Sequence, residues 1–403
     1  MQKYFRIPLV FFALSSAIGL LLRWHLVSPM EWFTYPYWLH AHSHIMFLGW
    51  VSNALFLIFG HNYVHETWRS RYRPLFLVMQ AMLVGMMISF PLQGYGACSI
   101  VFSTIHTLCL AVFSFRLFTD LRSGPASVSV WHTKASLIFF LISAVGPFAI
   151  AATAMMGLAQ TQWYYFAVYY YLHFQYNGFF TFGVLALFFH LLEQGGVPFS
   201  REDARLAGWF LAVACVPAYF LSTLWADPGI LFNGIGFVAA LLQIAFLLFF
   251  RRMIRLTGTT LREHLGKVPG RILVLALAAL ITKIMLQLFS SHEDIALLAG
   301  SNRSFVMAYL HLVLLGVISL TLIAWYYYMG MLNKTSRLAI ALIIAGFALT
   351  EIQLLLMPSW TKLNLSGIAD PAVVMLLWSV VLVLGVFLLA AAFHNPDKPR
   401  LKS

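Results

Sequence analysis

Apolar runs long enough to cross a bilayer recur along almost the whole of this 403-residue chain. They lie near residues 7–22, 38–60, 74–92, 98–118, 136–157, 164–192, 206–225, 229–250, 271–290, 304–329, 337–357 and 371–393. Most approach the ~20 residues an α-helix needs to traverse a hydrocarbon core of ~30 Å. Lipid offers a backbone no hydrogen-bond partner, so spans of this kind must satisfy their own N–H and C=O groups as helices. With 61% hydrophobic and 9% charged residues, the composition leaves no room for a soluble fold of this size. The expectation is an all-α integral membrane protein, a bundle of about twelve transmembrane helices in the lipid bilayer. It forms a single polytopic domain over residues 1–403.

Basic residues orient the bundle. Arg69, Arg71 and Arg73, then Arg116, Arg122 and Lys134, fall between alternate pairs of runs. Arg251, Arg252, Arg255, Arg262, Lys267 and Arg271 crowd a third connection, and Lys398, Arg400 and Lys402 close the chain. The opposite connections hold Arg23, Arg303 and Lys362. Cytoplasmic loops are the ones enriched in Lys and Arg, so both termini are expected in the cytoplasm. The first run lacks a small-x-small cleavage site before Arg23 and is read as a retained helix. The net charge of +12 follows from this asymmetry; no basic soluble face exists for nucleic acid. Cys98, Cys109 and Cys215 show no paired spacing and are read as packing residues. No short-period repeat stands out.

Four histidines, His42, His106, His173 and His311, lie inside even-numbered runs. At 1.5 Å per residue their rings fall in one layer roughly 6–14 Å below the outer boundary. Polar groups inside a membrane tend to face the bundle interior and to mark function. A single such histidine is often only a hydrogen-bonded packing residue; four at one depth point to imidazole ligation of iron, copper or zinc. His40 and His44, four apart, share a helical face opposite His42. They either chelate a metal such as zinc or bond water at the boundary, and the water reading is preferred. Lys283 and Glu351 fall near mid-membrane, where either a mutual ion pair or neutralisation through shifted pKa values would relieve two costly charges. Gly146-Pro147 and Pro217 interrupt the fifth and seventh runs, as helix breaks do in transporters, but not in corresponding halves.

These residues resemble subunit I of the haem–copper oxidases and the related nitric oxide reductases. In the second run, His42-Ser-His-Ile-Met46 and Ser52-Asn-Ala-Leu55 match the family's haem-ligating helix. In the tenth, Ala308-Tyr-Leu-His-Leu-Val-Leu-Leu-Gly316 places His311 at the second position of a His-x-His motif, with Tyr309 at the first. In the sixth, His173-Phe-Gln-Tyr-Asn-Gly178 keeps the histidine and glycine of the reductases but carries Asn177 for their glutamate. The seventh, Pro217-Ala-Tyr-Phe-Leu-Ser-Thr-Leu-Trp225, lacks the family's His-His pair.

The resemblance implies one low-spin haem b with His42 and His311 as axial ligands and Arg303 near its propionates. It implies electron transfer as the function, other respiratory-type subunits or a cytochrome or quinol donor as partners, and a bacterial inner membrane as the location. A second haem, or a copper or non-haem iron, would have to be rebuilt around His173, with Tyr309 and His106 as the remaining catalytic candidates. A rewired terminal oxidase or nitric oxide reductase, and a non-catalytic haem, gas or copper sensor or assembly protein, are the alternatives; a cofactor-free transporter is a further one.

Overall fold

The structure, a computed structural model, describes residues 1–121, 127–367 and 369–394. Arg122 and the tail residues Lys398, Arg400 and Lys402, used in orienting the bundle, lie outside them, as does the side chain of Arg262. The main helices are α1 (Gln2–Val27), α2 (Tyr35–Tyr63), α3 (Trp68–Gln93), α4 (Ala97–Asp120), α5 (Val128–Met155) and α6 (Gln162–Gln194). They continue with α7 (Arg201–Cys215), α8 (Ile230–Leu265), α9 (Lys267–Phe289), α10 (Arg303–Tyr328), α11 (Ser336–Leu356) and α12 (Pro371–Ala391).

Among the described residues, eleven helices are long and apolar enough to cross a membrane. The seventh expected run, 206–225, is the exception. Its helix stops at Cys215, and Pro217–Ser222 follows as a 3₁₀ turn. Proline supplies no N–H and its ring clashes with the preceding turn, so an α-helix cannot run on through Pro217 unbroken. The architecture is that of a helical membrane protein.

Sequence chemistry sets several helix ends. Ser127 caps α5 by accepting from Val130 N at 3.0 Å, Ser200 caps α7 from Asp203 N at 3.2 Å, and Asp370 caps α12 from Ala372 N at 2.7 Å. Each satisfies an N–H that the first turn leaves without a helical partner. α3 ends at Gly94, whose φ of 58° is open to glycine at little cost and whose N–H returns to Phe90 O.

The chain groups into two compact units. The first comprises Met1–Leu117 and Met329–Ser403, hence α1 to α3, most of α4, α11 and α12. Here α1 packs on α2 and on α12, and α12 packs along α11. Gly346 and Gly385 let α11 and α12 meet backbone to backbone: a Cβ on Gly346 would lie 2.5 Å from Leu382 N, and one on Gly385 2.7 Å from Ile343 N. Small residues serve this purpose where lipid supplies no hydrophobic drive between helices.

The second unit is Phe118–Tyr328, with α5 to α10. α5 bends at Gly146-Pro147 as the sequence implied. Gly146 admits α6 so closely that a Cβ would lie 2.6 Å from Tyr171 Cβ. Ser136 Oγ and Ser143 Oγ then donate across to Phe179 O and Gln175 Oε1, both at 2.7 Å.

α2, α6 and α10 are the buried spans: 89%, 94% and 67% of their apolar windows are covered, against 28–56% for the other eight. Each widens into a π-helix: Ile45–Ser52, Phe174–Phe180 and Leu312–Ser319.

Candidate functional site

Each of these three π-helical stretches begins immediately after a histidine: His44, His173 and His311. Each histidine is followed five residues on by glycine (Gly49, Gly178, Gly316) and eight residues on by a hydroxyl residue (Ser52, Thr181, Ser319). Each hydroxyl donates to the carbonyl five residues back: Ser52 to Phe47 O at 2.9 Å, Thr181 to Tyr176 O at 2.7 Å, Ser319 to Leu314 O at 2.8 Å. The glycines at 49 and 178 let neighbouring rings reach the backbone, since a Cβ there would lie 2.9 Å from Phe11 and 2.5 Å from Phe139. π-Helical turns are less stable than α and occur frequently at functional sites. The signal His-x₄-Gly-x₂-Ser/Thr stands in the sequence three times, with a spacing that periodicity at 3.6 residues per turn does not pick out.

In the first unit, His42 is held by α1. Its Nδ1 lies 2.8 Å from Ser15 O, and Ser15 Oγ donates to His42 O at 2.9 Å. A carbonyl only accepts, so Nδ1 carries the proton and Nε2 keeps its lone pair. Metal-ligating histidines are oriented in this way by an outer partner. Gly19 makes the fit: a Cβ there would sit 2.9 Å from His42 Cε1. The residue therefore fits an axial ligand.

His44 obeys the same logic, since its Nδ1 donates to His40 O at 2.9 Å. Its ring lies 4.4 Å from Phe90, and that of His40 4.5 Å from Tyr95. The expected water-facing pair is instead half-buried against aromatic rings, because the turn after α3 brings Phe90 and Tyr95 over this face of α2. His106 on α4 is fully buried, at 0% exposure, and neither ring nitrogen has a hydrogen-bond partner. His44 lies within electrostatic reach of it. Glu351 on α11 has the Arg23 guanidinium as its charged neighbour.

In the second unit, His173 is fully buried with both nitrogens engaged. Nε2 donates to Cys215 O at 2.8 Å, and Asn177 Nδ2 donates to Nδ1 at 3.0 Å. The Cys215 carbonyl is available because α7 ends there. In this arrangement neither nitrogen offers a lone pair to a second metal. Tyr309 sits above Tyr176, ring centroids 6.2 Å apart. Its hydroxyl is buried beside Asn177. Lys283, 3% exposed, donates to Gln243 Oε1 at 3.0 Å. The carboxylate partner suggested by the sequence is thus replaced by an amide, which satisfies one ammonium proton without supplying charge. His311 is half-buried at the last turn of the regular part of α10. Arg303 opens that helix, exposed, within electrostatic reach of Tyr169.

Among the described residues no group of three or more His, Cys, Asp or Glu side chains is placed to hold a metal ion. A haem iron needs only two imidazoles, and the porphyrin supplies the rest. No known protein family matches the chain, and no curated protein resembles it at a significant level.

Proposed function

We propose that the protein is a membrane b-type haem protein that carries electrons. The observation that supports this most directly is His42: Nδ1 is fixed on the Ser15 carbonyl and the Nε2 lone pair is left for iron. His311 is the second axial ligand on the strength of the resemblance, and Arg303 the cation assigned to the propionates. Two imidazoles saturate the iron, so such a haem exchanges electrons and binds no gas. A catalytic second metal at His173 draws little support, since both its nitrogens are already engaged. The haem–copper oxidase scaffold, cytoplasmic termini, a bacterial inner membrane, and a quinol or cytochrome donor belong to the same proposal.

A pyridine haemochrome assay with metal analysis on detergent-purified protein tests it. One haem b per chain with a low-spin spectrum is expected, lost in His42→Ala and in His311→Ala. A colourless protein from haem-replete cells, or an unchanged spectrum in both variants, overturns the reading.

A further inference from the structure

A cavity of about 650 Å³ lies in the second unit, walled by residues of α6, α8, α9 and α10. Pockets that hold small ligands run from about 300 to about 1,000 Å³. α8 contributes Phe250, Ile254, Gly258, Leu261 and Leu265, at the three- and four-residue spacing of a single helical face. At 1.5 Å per residue that face runs about 22 Å, more than the about 15 Å that one leaflet takes of a ~30 Å hydrocarbon core. The wall is apolar apart from Thr181, Thr321, Lys267 and Arg271. Both threonine hydroxyls are spent on their own helices, Thr181 donating to Tyr176 O and Thr321 to Val317 O, each at 2.7 Å. Lys267 and Arg271 are exposed, one turn apart at the start of α9, and among the described residues neither forms an ion pair. Glycine weakens a helix interior and is kept where something must come close to the backbone. At Gly146 and Gly346 a neighbouring helix comes close; a Cβ at Gly258 or Gly270, both on the cavity wall, would meet nothing within 4 Å.

We propose that this cavity binds one anionic phospholipid, with an acyl chain along α8 and the phosphate on Lys267 and Arg271. The apolar length fits the chain, and a ligand rich in polar atoms would leave them unmatched there. The charge sits at one end, as an amphiphile requires. A guanidinium and an ammonium on one helical face suit a phosphate. α9 begins at the same place with no side-chain cap at Gly266, so its first-turn N–H groups favour an anion too. Val274, on the wall and 66% exposed, sets the cavity at the lipid-facing surface. On the orientation proposed above, the basic end meets the cytoplasmic leaflet, whose anionic lipids attract Lys and Arg. The wall includes Val317, within the π-helical stretch of α10, and Thr181, directly after that of α6, so the chain would fill space beside both. The site is separate from the haem reading: His42, His311 and Arg303 take no part in it.

The test exchanges full-length, delipidated protein in detergent into an equimolar mixture of phosphatidylglycerol, phosphatidylcholine and oleate. After washing, the lipid retained per chain is measured by mass spectrometry. A basic residue near the surface favours an anionic lipid about fivefold, so two favour it roughly 25-fold. One phosphatidylglycerol per chain is expected, preferred over phosphatidylcholine by about that factor. Lys267→Gln and Arg271→Gln should each lower the preference about fivefold, and the double variant should bring it near even. Gly258→Phe, which fills the cavity from an open position, should abolish retention and keep the thermal midpoint of delipidated wild type. Arg251→Gln removes an exposed cation of α8 outside the cavity wall and should change nothing. Equal retention of the two phospholipids, oleate in place of phosphatidylglycerol, or phosphatidylglycerol that survives Gly258→Phe overturns the proposal. So does a preference that falls as far in Arg251→Gln as in Arg271→Gln. Failure of Gly258→Phe to fold refutes the open space from which the proposal starts, and the exposed charge variants test the headgroup site without it.

Discussion

Replacing Gly19 with alanine should disturb the seat of His42, the axial ligand proposed above, through one methyl group. The new Cβ would stand 2.9 Å from Cε1 and 3.2 Å from Nδ1 of His42. Ordinary contact begins at 3.4 Å, so the ring must retreat by about half an ångström. Nδ1 is the atom bonded to Ser15 O at 2.8 Å, and a shift of that size away from α1 stretches the bond toward its limit. Weakening one hydrogen bond costs about 0.5–1.5 kcal/mol, and overpacking a filled site adds about 1–3 kcal/mol. Together these come to roughly 1.5–4.5 kcal/mol, less the about 0.5–1 kcal/mol that alanine returns in helix propensity. Two measurements separate the local claim from the functional one. Thermal unfolding in detergent reads the stability loss, with Gly234→Ala on α8, where a Cβ meets nothing within 4 Å, as the control. Haem per chain and the low-spin spectrum read the ligand. An unaltered midpoint in Gly19→Ala would refute the packing of His42 on α1. A lowered midpoint with an unaltered spectrum would refute the role of His42 as a ligand while leaving the packing intact.

Other outcomes follow from the same geometry. Gln243→Leu removes the acceptor of a buried ammonium and should destabilise the protein by at least about 3 kcal/mol, whereas Lys283→Met, which removes the ammonium itself, should cost far less; a denaturation series that reversed the order would deny the Lys283–Gln243 contact. Gly346→Leu should force α11 and α12 apart, because its Cβ alone would meet Leu382 backbone at 2.5 Å, and a cysteine cross-link placed across the two helices should form in wild type and fail in the variant. Pro217→Ala restores an N–H and lets α7 continue, so that helical donors compete with His173 for Cys215 O; amide exchange at residues 216–222 should slow, and equal exchange in both proteins would count against the account given for the break.

The sequence carried the spans well, because the length and apolarity of a helix in lipid are local properties. Eleven of the twelve expected runs are long apolar helices, and the twelfth fails where Pro217 stands. What the sequence did not carry was which nitrogen of a histidine is already taken. His173 and His106 read alike as buried imidazoles, yet one is doubly hydrogen-bonded and the other has no partner, a difference decided by the Cys215 carbonyl from a distant helix end. Charge alone offers Lys283 a carboxylate such as Glu351; an amide from α8 meets it instead through position, which no spacing encodes. Helical faces drawn at 3.6 residues per turn also lose register beyond His44, His173 and His311, where the backbone widens.

That widening makes α2 intolerant of a change other helices absorb at their ends. Let the backbone between Ile45 and Ser52 tighten to the ordinary winding with every residue kept, and it gains in local bonding. The stretch from Asn53 to Tyr63 would then swivel by about 100° about the helix axis, the angle one residue subtends. Asn53, now buried and bonded to Gln80, would turn away from its amide partner on α3, and the side chains of Ala54 to Phe59, all buried, would each meet surroundings packed for another residue. In this stretch the winding of the backbone, as much as the identity of its residues, decides which side chain meets which neighbour.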